Sequence, residues 1–80
     1  MIPGMEYLPV AGLTRTAARC AKGVAKHGPY EALPVRERVE KIRRHLRAIL
    51  MGDVSEDHYA AIAANALFAM EQQRLNGEPR

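Results

Sequence analysis

The side chains able to do chemistry are concentrated between Pro34 and Met70. Glu37, Glu40, Arg44, His45, Asp53, Glu56, Asp57, His58 and Asn65 all fall there. Imidazoles and carboxylates hold divalent ions and move protons, and guanidinium groups pair with phosphates. His45 follows Arg44 and flanks an apolar stripe, beside Ile42 and Ile49 on a helix surface. Taken alone, a histidine there is a partly buried packing residue. His58 comes directly after Glu56-Asp57, where acidic groups also favour the positive end of a helix. Asn65 lies seven residues beyond His58 and so on the same side. Antiparallel packing of two helices would bring His45, Glu56, Asp57, His58 and Asn65 to one seam. Oxygen-rich donors suit magnesium or manganese, and imidazole nitrogens pull toward manganese, zinc or iron. Glu37 and Glu40, one turn apart, either share such an ion or pair with Lys41 and Arg44 at i,i+4.

Two amphipathic helices must position these groups. In the first, Val35, Val39, Ile42, Leu46, Ile49 and Leu50 fall at three- and four-residue steps on one face. Pro34 suits its first position, and Gly52 suits its stop. A polar turn follows, in which Asp53 or Ser55 can cap the next helix; Asp53 and Glu56 have capping-box spacing. The next stripe is Tyr59, Ile62, Ala63, Ala66, Leu67 and Met70, alanine-rich and open to a close partner. A further helix precedes both, from Leu13 or Thr14 to about Lys26, with Thr14 as a cap. Its expected buried line is Leu13, Ala17, Cys20, Ala21 and Val24. Gly28-Pro29 ends it, and His27 to Leu33 is a loop. Residues 1–12, with Pro3, Gly4, Pro9 and Gly12, read as an extended strap. The last turn, Gln72 to Leu75, is expected to fray into a disordered tail over residues 76–80.

The predicted fold is therefore all-α: one domain, a three-helix antiparallel bundle with an N-terminal strap. With 80 residues, such a chain buries only roughly 60–65% of the surface its unfolded form exposes. Completion by oligomerisation is expected. The single Cys20 excludes an intrachain disulfide and reads as a small apolar helix residue. No apolar run is long enough to span a bilayer, and the start lacks signal-peptide character, which predicts a cytoplasmic protein. The net charge of +3 suits phosphates without arguing for nucleic acid. A DNA-reading helix-turn-helix would need polar groups on its second helix, which here is alanine-rich.

Several short segments, in order, resemble one family. Tyr7-Leu8-Pro9 followed by Leu13 and Ala17, Gly23 with Lys26-His27-Gly28, and Arg44-His45-Leu46 are three of them. Gly52 with Asp57-His58, and Ala64-Asn65-Ala66-Leu67, are the others. Over most of its length the chain resembles the N-terminal domain family of phage dATP/dGTP diphosphohydrolases, within the MazG-like all-helical nucleotide pyrophosphohydrolases. The resemblance implies an all-α fold, dimers or tetramers, and a divalent ion at the helix seam. It also implies cleavage of a nucleoside triphosphate to a monophosphate and pyrophosphate. Two features differ from the family. The loop is Pro29-Tyr30-Glu31-Ala32 with no tryptophan, and Glu56 and Asp57 are adjacent rather than spaced as E-x-x-D.

The resulting expectation is a phage-encoded, magnesium- or manganese-dependent pyrophosphohydrolase acting on a purine deoxynucleoside triphosphate. Glu56, Asp57 and His58 are the expected metal ligands, and Asp57, His58 and His45 the catalytic groups. Arg44, Arg47 and Lys26 would neutralise phosphate, and Asn65 would orient a ligand or the base. The alternative is a non-catalytic helical interaction protein, binding a host factor, that keeps the fold without the activity.

Overall fold

The computed structural model describes residues 2–27 and 33–79. These form three α-helices: α1 (Val10–His27), α2 (Val35–Leu50) and α3 (His58–Asn76). A 3-10 turn, Met5–Tyr7, precedes them. No strand occurs among the described residues, so the fold is all-α, as expected. The Gly28-Pro29 stop and most of the expected α1–α2 loop lie outside the described residues.

Local chemistry explains the helix ends. α1 begins at Val10, earlier than Leu13 or Thr14, because the Pro9 carbonyl accepts the first helical bond, from the Leu13 amide at 3.0 Å. Proline suits this place, where no amide donor is needed. The strap is correspondingly shorter and contains the 3-10 turn. Thr14 is not a cap; its hydroxyl donates to the Val10 carbonyl one turn back at 2.8 Å. Pro34 stands just before α2, and its carbonyl accepts from the Glu37 amide at 3.0 Å.

Glycine closes both α2 and α3. Gly52 has φ +79°, its amide bonds the Ile49 carbonyl, and the Asp53 amide bonds the Ala48 carbonyl, each at 3.0 Å. Gly77 repeats the motif at φ +67°, with the Glu78 amide on the Gln73 carbonyl at 2.9 Å. This nested pair of bonds satisfies carbonyls that the helix cannot. The last turn of α3, expected to fray, is therefore a closed end.

Antiparallel pairing of α2 with α3 follows from His45 meeting His58 at one end and Arg38 meeting Asn65 further along. Among the described residues α1 packs on α3 and not on α2. The packed centre is small: Ala60, Ala61 and Ala64 are its buried apolar residues, with Ala61 fully enclosed. Thr16, Arg38, His58 and Gln72 are buried with them.

The expected stripes are therefore only partly buried. On α2, Ile42, Ile49 and Val35 are half-buried, while Val39, Leu46 and Leu50 are exposed. On α3 the buried line is rotated away from Tyr59, Leu67 and Met70, all exposed, toward the alanines. On α1, Leu13 and Val24 are exposed and Thr16 is the buried residue. The reason lies in α3, which is apolar around most of its circumference. Its sequence favours no one direction, and small side chains permit the closest approach.

Ala61→Leu should expose how tight this seam is. Inserting a larger side chain into packed space costs about 1–3 kcal/mol, readable by urea denaturation. A loss well below that range would mean the seam has spare room.

Candidate functional site

The α2–α3 turn brings the two imidazoles together. His58 opens α3 and its side chain is 6% exposed. Its Nδ1 lies 2.8 Å from Nδ1 of His45, the rings tilted by 49°. Its Nε2 lies 2.6 Å from Oδ2 of Asp53, the residue that the Gly52 turn delivers to the seam. Asp53 also accepts from the Ser55 amide at 3.2 Å and the Ser55 hydroxyl at 3.0 Å. The bond from His58, with those from Ser55, holds the Asp53 carboxyl below the usual carboxylate range. Burial lowers the His45 pKa, and the nearby Glu56 carboxylate opposes that shift only in part. The lowered pKa favours the neutral imidazole, the form that binds metals.

Glu56 completes a three-donor group. Ligand atoms of His45, Glu56 and His58 all lie within 4.8 Å of one another, the one such group among the described residues. Glu56 Oε1 is 4.0 Å from His45 Nδ1 and accepts a bond from Arg19 on α1 at 2.8 Å. That bond is the main cause of the lowered Glu56 pKa.

Asp57 is held elsewhere. Its carboxylate takes a two-point bond from Arg15, at 2.6 and 2.8 Å, and accepts from the Ala60 amide at 3.1 Å. It is thus the cap of α3, a role the sequence suggested for Asp53 or Ser55. The Arg15 bond, then the Ala60 amide, draws its pKa down to about 2.

The absence of α1–α2 packing leaves a groove between those helices, floored by Ala64, Asn65 and Phe68 of α3. Its volume is about 510 Å³, within the usual range for small-molecule sites. His45 and Glu56 line one part of it, and Arg19, Lys22, Lys26, Lys41 and Arg44 supply cations. Arg47 does not line the groove. Asn65 reaches it, with its amide hydrogen-bonded already: Nδ2 donates to the Ala61 carbonyl at 2.8 Å, and Oδ1 accepts from Arg38 at 3.2 Å. Of the acidic pair on α2, Glu37 lines the groove, while Glu40 meets Arg43 at 3.5 Å rather than Arg44.

The structure thus unites His45, Glu56 and His58, pairs Asp57 with Arg15, and brings Asp53 and Arg19 onto the same group. The arginines carried no local signal, since α1 had no assigned partner in the sequence. No family model matches the chain, and neither a curated protein nor a solved structure does.

The Arg15–Asp57 pair fixes a pH dependence. A carboxyl whose pKa falls from 3.8 unfolded to about 2 folded contributes stability fully above about pH 4, and that contribution disappears on acidification toward pH 2. Melting temperatures from pH 5 to pH 2 should fall less in Asp57→Asn than in the unmodified protein. Parallel curves would show that the pair contributes nothing.

Proposed function

We propose that the protein is a metal-dependent nucleoside triphosphate pyrophosphohydrolase of the MazG-like kind, taking a purine deoxynucleoside triphosphate. One observation carries this reading: the His45–Glu56–His58 donors adjoin the same groove that Lys22, Lys26, Lys41 and Arg44 line with positive charge. The resemblance described above supplies the substrate class.

The donors fit a divalent ion, with a preference. Two imidazoles and one carboxylate form a borderline set, suited to manganese, zinc or iron better than to magnesium. Glu56 would have to exchange its Arg19 partner for the ion. When bound, the ion would offset phosphate charge and acidify a water for attack on phosphorus. The chain's own residues do the remaining work. Lys26, Lys41 and Arg44 pair with phosphate oxygens. Arg19, released from Glu56, adds a further cation on the α1 side. Asp57 contributes by anchoring α1 to the start of α3 through Arg15, and Asn65 by holding Arg38 against the groove floor.

A second copy of the chain belongs to this reading. The protomer exposes 6368 Å², whereas a folded monomer of 8.9 kDa ordinarily exposes roughly 4,800 Å². That excess is larger than the roughly 800 Å² per partner of a standard interface. Val39, Leu46 and Leu50 on α2 lie on the opposite edge of the helix from Glu37, Lys41 and Arg44, so an apolar contact there leaves the groove open. Light scattering should give a mass of two or more chains, and Leu46→Asp should lower it. A monomer at micromolar concentration would remove this part of the reading.

A non-catalytic interaction protein is the second reading. It is favoured by the internal pairing of both acidic groups, Glu56 with Arg19 and Asp57 with Arg15, as a purely structural seam would have.

Pyrophosphate release from a panel of deoxynucleoside triphosphates, with manganese and with magnesium, separates the two. Turnover should require the metal and be lost in His45→Ala and Glu56→Gln. Lys41→Ala and Arg44→Ala should each raise KM about tenfold, as expected for removing one charge-assisted hydrogen bond. No turnover with any nucleotide, from a folded oligomer, would favour the second reading.

A further inference from the structure

We propose that Asp53 is a positioning residue: it holds His58 with the proton on Nε2, so that Nδ1 is the nitrogen turned toward His45. The proposal rests on the metal-site reading for its purpose, though its geometry stands without it. Asp53 had no role among the site residues expected from the sequence beyond capping.

Oδ2 of Asp53 lies 2.6 Å from Nε2 of His58, and the same carboxylate accepts two bonds from Ser55. An ionised carboxylate only accepts, so the proton of that contact sits on Nε2. With Nε2–H given to Asp53, Nδ1 is the nitrogen whose lone pair is turned toward His45. Nδ1 lies 2.8 Å from Nδ1 of His45, another residue of the three-donor group. The arrangement is a carboxylate holding the far nitrogen of a ligand imidazole, which fixes its ring and raises its basicity.

The backbone supports the same assignment. Gly52 takes a left-handed conformation, and its closing bonds place Asp53 immediately after α2. Ser55 clamps the carboxylate from the other side through its amide and hydroxyl. By the same assignment, the proton of the His45–His58 contact belongs to Nδ1 of His45. To act as a ligand through Nδ1, His45 must move that proton to Nε2. His58 needs no such change, because Asp53 has already set its tautomer.

Nitrogen-15 spectra of the imidazoles in the metal-free protein test the geometry, and manganese affinity by calorimetry tests its purpose. In the unmodified protein His58 should show a protonated Nε2 and a bare Nδ1. Asp53→Ala should shift His58 toward a mixture of tautomers and weaken manganese binding roughly 10- to 100-fold. Asp53→Asn, whose amide oxygen keeps the Ser55 amide bond while its NH2 turns toward Nε2, should move the His58 proton to Nδ1 and weaken manganese binding as well. Circular dichroism of each variant confirms that the helices are intact. An unchanged His58 spectrum and unchanged affinity in Asp53→Ala would overturn the proposal while leaving the metal site standing. If no variant, nor the unmodified protein, binds manganese, the metal reading fails, and with it the purpose assigned to Asp53.

Discussion

A buried imidazole must find partners for two ring nitrogens, and that requirement at His58 organises the α2–α3 end of the molecule. His58 is enclosed at the start of α3, so both nitrogens must be satisfied by protein groups. One is met by Asp53 from the turn, the other by His45 from α2. The two bonds fasten the end of one helix, the connecting turn and the start of the next. They also determine the register in which α2 and α3 lie. Shifting that register by one residue would carry His45 out of reach.

The rest of the packing follows from size rather than from hydrophobic bulk. Alanines 60, 61 and 64 let the helices approach closely. They bury little area and so contribute little transfer energy. The larger apolar side chains stay at the surface, where Leu50 is 79% exposed and Tyr59 65%. A protomer with this distribution is organised by polar contacts inside and has its main apolar surface outside. That is the opposite of an ordinary monomeric bundle. It also explains the groove, because among the described residues α1 packs on α3 and not on α2, which leaves the floor of α3 open between them.

α1 is held to this frame by charge. Arg15 and Arg19 lie four residues apart, one turn of helix, and grip the adjacent carboxylates Asp57 and Glu56. The two pairs differ in consequence. Arg15 holds the cap of α3 and is part of the scaffold. Arg19 holds a group that also belongs to the donor set, so it competes with any ion for Glu56. This links occupancy of the site to one of the contacts that seats α1.

The existence and approximate length of α2 and α3 were legible in the sequence, because Pro34, Gly52 and the three- and four-residue apolar steps are local signals. So was the convergence of His45 with His58 and Glu56, since an antiparallel hairpin with a short turn leaves few alternatives. The start of α1 was less legible, because Pro9 and Gly12 suggested irregular backbone where proline in fact opens the helix. Asp57 caps α3, a role that adjacency in sequence does not distinguish from that of a ligand. Only tertiary packing decided which face of α3 is buried. That helix is apolar nearly all round, so its rotation depends on what its neighbours fit against. Only tertiary packing paired Arg15 and Arg19 with Asp57 and Glu56, across most of the chain. Ion pairs at long separation depend on where rigid elements come to rest, and no periodicity within one element records that.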